Sequence, residues 1–247
     1  MDNISEKKIE NAKPLGARLG EAGFCICYLV FVLIVAIFMH NKEVSLFAES
    51  GPSPDYYRYG FGFLMAALLG GGDAFHLIPR IIVNIRGDMW KKQTFLGAGN
   101  LISSITMTLF YNILIAMGDS MEYSPTEYNY EIEKAILVLT TARIILLLFP
   151  QNKWYSEEPV RKWAIIRNVP FAIIGLLTLV GLFNVISHAN IYPAAFYVNI
   201  MIAVLLSFAF YLPVAILGKE KPKLGMLMIP KTMCYIWMMA VIAFWTM

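Results

Sequence analysis

Asp73, His76, Arg80 and Asn84 stand three, four and four residues apart within LLGGGDAFHLIPRIIVNIR, residues 68–86, a segment that is otherwise apolar. On an α-helix these offsets return to nearly one face, so the four side chains form a polar stripe. A carboxylate, an imidazole and a guanidinium on one face can bind a charged ligand, relay a proton, or pair with charges on neighbouring helices. Any of them turned toward lipid near mid-bilayer costs about 2.5 kcal/mol or more, so the stripe must face protein or water. Gly70, Gly71 and Gly72, immediately before Asp73, suit close helix approach or local unwinding better than a phosphate cradle. Arg80, near the cytoplasmic boundary, is placed to snorkel to the interface more than to touch a ligand.

The stripe needs a membrane bundle to hold it. Of 247 residues, 58% are hydrophobic and 15% charged, far more apolar than a soluble domain of this length needs to be. Stretches long enough to cross roughly 30 Å of hydrocarbon recur at 22–39, 60–84, 95–117, 135–150, 163–186, 194–217 and 224–246. The fourth is the shortest and contains Arg143. The sequence therefore predicts an all-α integral membrane protein with seven transmembrane helices: a cytoplasmic segment 1–21, then one transmembrane domain over 22–247. Glu6, Glu10 and Glu21 interrupt the basic leader and no small-residue cleavage site follows, so the first span reads as a retained helix.

Basic residues orient the chain, because their translocation is disfavoured. Lys7, Lys8, Lys13, Arg18, Arg80, Arg86, Lys91, Lys92, Lys153, Arg161, Lys162, Arg167, Lys219, Lys221 and Lys223 fall on one side, against Lys42, Arg58 and Lys134 on the other. This asymmetry predicts a cytoplasmic N-terminus and an extracytoplasmic C-terminus, in a cell inner or plasma membrane. The net charge of +3 is then a topology feature and gives no reason to expect nucleic acid. The lipid bilayer is the expected partner, and homo-oligomerisation is left open. The connection 118–134, with Asp119, Glu122, Glu127, Glu131 and Glu133, reads as a solvated acidic loop.

Other spans carry polar residues at the depth of the stripe. Asn100 and Ser104, Arg143, Asn168, Ser207 and Tyr211, and Lys231 all fall within roughly 5–15 Å of the cytoplasmic boundary. Pro79, Pro170, Pro213 and Pro230 sit near the same ends, where each removes a backbone donor and frees carbonyls. The outer halves are blander. The candidate site is therefore Asp73, His76, Arg80, Asn100, Ser104, Arg143, Tyr211 and Lys231. Asp73 is expected to pair with Arg143 first or Lys231 second, since a lone charge at that depth is several kcal/mol less favourable than a paired one, on the order of the cost of breaking a buried pair.

The layer leans positive once Asp73 is paired, which favours an anionic or amphiphilic small molecule bound from the cytoplasm, as in a transporter or sensor. The competing reading is a metal-independent intramembrane enzyme acting on lipid, with Asp73 as general base and His76 as its partner. Zinc chemistry fits poorly: the topology puts His40 and His188 roughly a bilayer away from His76. Cys25 and Cys27, two apart on a helix, cannot easily share a metal, so no metal or cofactor is expected. The dipeptide Gly72–Asp73 is similar to one in lysoplasmalogenase-type membrane enzymes, but a dipeptide assigns no family. A retinal protein is disfavoured, because the third span lacks a carboxylate counterion and Lys231 follows Pro230 near the cytoplasmic end.

Overall fold

The computed structural model describes residues 14–86, 92–122, 127–155, 161–218 and 221–246. Residues 1–13 of the predicted N-terminal segment and 123–126 of the acidic connection lie outside them. Seven long helices follow in chain order: α1 (Leu15–Ser50), α2 (Pro54–Arg86), α3 (Lys92–Glu122), α4 (Glu127–Leu148), α5 (Arg161–His188), α6 (Ala194–Leu217) and α7 (Met228–Phe244). No strand occurs among the described residues.

Six stretches are long and apolar enough to cross a membrane: α1, α2, α5, α6, most of α3, and α7 with the 3-10 turn Pro222–Leu227 that leads into it. The protein is thus multi-pass by length and composition. Helix α4 falls outside that set, because Glu131, Glu133, Lys134 and Arg143 lower its hydropathy. Its 22 residues still span about 33 Å, so charge and not length separates it from the others.

The helices run beyond the apolar stretches that reveal them. Helix α1 covers Leu15–Ser50 where hydropathy marks only 22–39. It stops at Gly51, whose φ of 70° closes the C-terminus with its N–H on the Phe47 carbonyl. Helix α4 ends at Leu148 because Pro150 follows and Asn152 Nδ2 donates to the carbonyls of Leu146, Leu147 and Phe149, which the helix leaves free.

Burial follows the membrane pattern. Leu33, Ile34, Ile37, Leu137, Val138, Leu176, Phe183 and Leu205 point outward and are exposed, while Thr108, Thr178, Ser207 and Arg143 are buried inside. A core of Met39, Met65, Leu69, Phe110, Leu114, Phe196 and Met238 fills the centre. Helix α3 packs on α2, α4 and α5, and α7 closes back onto α1 and α2.

The α2–α3 seam is the closest approach around the polar stripe. A Cβ at Gly72 would overlap the Thr106 side chain, and one at Gly99 would lie 2.6 Å from the Cα of His76. Small residues here let two backbones approach and bring Asp73 against α3. Gly71 meets nothing and Gly70 faces Val32 of α1, so of the triplet it is Gly72 that enforces the α2–α3 contact.

The end of the bundle opposite the basic residues is polar and tightly bonded, where the sequence suggests blandness. Asp119 and Glu122 are buried and do not belong to a solvated loop. Glu122 accepts the backbone N–H groups of Asn190, Ile191 and Tyr192 and the Tyr197 hydroxyl, tying the end of α3 to the α5–α6 turn. Arg58, also buried, pairs with Asp55 at 3.0 Å and donates to the Trp245 carbonyl and the Tyr59 hydroxyl. Tyr192 donates to the same Asp55.

Candidate functional site

Near the basic end, the helices part around a cavity of about 380 Å³. Each wall comes from a different element: Asp73, His76 and Leu77 from α2; Leu96, Asn100, Ser103, Ser104 and Met107 from α3; Arg143 from α4; Asn152, Lys153 and Trp154 from the α4–α5 turn; Arg161, Arg167 and Phe171 from α5; Tyr211 and Val214 from α6; Met228, Lys231, Thr232 and Tyr235 from α7. Leu96 to Met107 and Arg161 to Phe171 each run about 15 Å along a helix, which sets the depth of the chamber.

Seven of the eight residues proposed from sequence line this one cavity: Asp73, His76, Asn100, Ser104, Arg143, Tyr211 and Lys231. Arg80 does not; it is ion-paired with Glu21 of α1. Next to it, Arg18 Nη2 donates to the Val83 carbonyl at 3.3 Å, so these two cations clasp α1 to α2.

Asp73 is held by hydroxyls and not by a cation. Its two carboxylate oxygens accept from Tyr28 and from Ser103, each at 2.7 Å. His76 Nδ1 stands 3.9 Å from Asp73, too far for a hydrogen bond. Among the described residues, no ion pair within 4.0 Å joins Asp73 to Arg143 or Lys231, so the pairing expected from depth is not formed. Equal depth does not mean equal facing: Asp73 turns toward α1 and α3, and Arg143 enters from α4 on the other side of the chamber.

Arg143 is 1% exposed, and its Nε and Nη1 have no hydrogen-bond partner. Its guanidinium carbon lies 3.4 Å from the centroid of the Phe171 ring, a cation–π contact that compensates part of its desolvation. Lys231 Nζ sits over the rings of Tyr211 and Tyr235, at 4.8 and 5.3 Å. Those aromatics are themselves fixed: Tyr211 donates to Asn168 Oδ1 at 3.0 Å, and Tyr111 links the hydroxyls of Ser207 and Tyr235.

The turn after α4 forms the rim. Asn152 Oδ1 accepts from Arg167, whose guanidinium stacks 4.4 Å from the Trp154 ring, and Trp154 Nε1 donates to the Leu147 carbonyl. Lys153 bends the turn with φ 48°, in the left-handed region. Among the described residues, Arg143, Lys153, Arg161, Arg167 and Lys231 thus line a space in which Asp73 is the one carboxylate. An excess of positive charge of this kind favours negative over positive charge in the space.

Sequence reasoning missed Tyr28, Ser103 and the Trp154 turn. Ser103 adjoins a candidate, and its place on the α3 face toward Asp73 is readable once Gly99 marks the contact. Tyr28 carries no such mark. No family model, curated protein or solved structure matches this chain.

Proposed function

We propose that this protein is a seven-helix integral membrane protein that binds an anionic or amphiphilic small molecule in the chamber at its basic end, as a transporter or sensor. Helix α4 is taken as the seventh crossing. Leu137, Val138, Ile145 and Leu148 turn outward for lipid while Arg143 turns in. An odd number of crossings with the basic residues inside puts the N-terminus and the mouth of the chamber in the cytoplasm and the C-terminus outside. A reporter inserted at residues 88–92 is expected to be cytoplasmic and one fused after Met247 extracytoplasmic; exchanged signals would reverse the orientation.

The observation that carries the functional reading is Arg143. A buried guanidinium with two unpartnered nitrogens in a hollow lined by further cations needs an acceptor, and an oxyanion supplies one. The lipid-enzyme reading has less support, because both oxygens of Asp73 already accept hydroxyls and His76 lies beyond hydrogen-bond distance.

Native mass spectrometry of the purified protein tests this reading. Wild type is expected to carry a small anionic adduct, and Arg143→Met to have lost it. An adduct that is neutral or cationic, or one retained equally by Arg143→Met, would contradict the reading.

A further inference from the structure

The charges at the floor of the chamber do not cancel. Arg143 and Lys231 act on one another electrostatically, and Lys231 also lies within electrostatic range of Asp73. Among the described residues neither cation has a carboxylate within 4.0 Å, and Asp73 is the single carboxylate of the lining. Counting these three groups alone, two positive charges face one negative charge. Lys153 and Arg161 belong to the rim and are exposed, so water screens their charge, and Arg167 beside them is only half-buried, against the neutral Asn152 and Trp154.

Resting on the anion-binding reading above, we propose that the chamber selects an organic monoanion. Its oxyanion sits between Arg143 and Lys231, and its apolar body lies along Met107, Phe171, Val214 and Met228. A single negative charge neutralises the floor. A dianion would leave a surplus negative charge, and a neutral or zwitterionic molecule would leave the surplus positive one, each uncompensated at a depth where water does not screen it. An ammonium group gains little from Asp73, because Lys231 already shares its field. The apolar share of the wall calls for a hydrocarbon or ring on the ligand, and about 380 Å³ accommodates a small molecule of that kind. Carboxylates and phosphodiesters both present such a monoanionic oxyanion.

Calorimetric titration of the full chain in nanodiscs, at about pH 8 where free imidazole is neutral, tests the proposal with hexanoate and dibutyl phosphate as monoanions, butyl phosphate as a dianion, hexanol as a neutral molecule and hexylamine as a cation. At least one monoanion is expected to bind about tenfold or more tighter than butyl phosphate, hexanol and hexylamine. Which of the two binds better separates a carboxylate source from a phosphodiester source. Asp73→Asn raises the floor by one positive charge and is expected to move the preference toward butyl phosphate by about tenfold. Lys231→Met, a second variant that lowers the floor by one, is expected to weaken the monoanion while leaving hexanol unchanged. Wild type binding butyl phosphate as tightly as the monoanions, or both variants leaving the preference unmoved, would overturn the monoanion proposal while anion binding itself stands. Binding of hexylamine above every anion, or of no anion, would overturn the anion-binding reading.

Discussion

Arg143→Met is expected to raise the stability of the ligand-free protein by about 1–3 kcal/mol while removing anion binding, an outcome opposite to the loss expected of breaking a buried ion pair. Methionine is unbranched, matches the aliphatic stem of arginine and has no donors to satisfy. In the wild type, Arg143 is fully desolvated with two nitrogens unpaired, and each such group costs about 1–3 kcal/mol. The Phe171 contact offsets up to about 2 kcal/mol of that, and the Tyr211 hydroxyl beside the guanidinium offsets a further part without reaching Nε or Nη1. Removing the charge therefore relieves more than it forfeits. Since Asp73 is bonded to Tyr28 and Ser103 and not to Arg143, Asp73→Asn and Arg143→Met should be nearly additive in stability. A stable variant that no longer binds is what a strained binding site yields when its strained group is removed.

Glu122→Ala should cut in the other direction, lowering stability by about 4 kcal/mol, near the upper end of what single substitutions do. One buried carboxylate takes three consecutive backbone N–H groups, of Asn190, Ile191 and Tyr192, and the Tyr197 hydroxyl. Alanine strands all four donors, and hydrogen bonds to a charged acceptor contribute about 1.5–3 kcal/mol each before water re-enters. Glu122→Gln keeps one acceptor oxygen and should lose less. The control is Glu131→Ala, nine residues on in the same acidic stretch. Glu131 is 64% exposed and pairs with exposed Lys134, so its loss should change stability by less than about 1 kcal/mol. Chemical denaturation of the three variants beside wild type checks the ranking, and equal losses for Glu122 and Glu131 would show that burial at this end does not matter.

Why one of these acids is structural and the other idle is not readable from the chain alone. Both stand in GDSMEYSPTEYNYEIEK, whose charge density suggests solvent. Helix α3 runs past its apolar stretch to Glu122 and folds its last turn under the α5–α6 connection, which hydropathy does not register. The polar stripe is different. Helical period and the penalty for lipid exposure together require Asp73 and His76 to face inward, and they do line the chamber. Depth arguments likewise gathered Asn100, Ser104, Arg143, Tyr211 and Lys231. Depth gives no azimuth, however, so it does not identify what holds Asp73: the neutral hydroxyls of Tyr28 and Ser103 leave no charge pattern to detect. The Arg80–Glu21 pair that keeps Arg80 out of the chamber is hidden for a related reason, since Glu21 reads in sequence only as an interruption of the basic leader.

The most direct measurement is the melting temperature of wild type and Arg143→Met in nanodiscs across a hexanoate or dibutyl phosphate titration. Expected are curves that cross: the variant melts higher without anion and stays flat, while wild type starts lower and rises with ligand as binding to the folded state adds to its stability. A variant that melts below wild type without anion, or that rises in parallel with it, would contradict an unpaired Arg143 held in place for an anion.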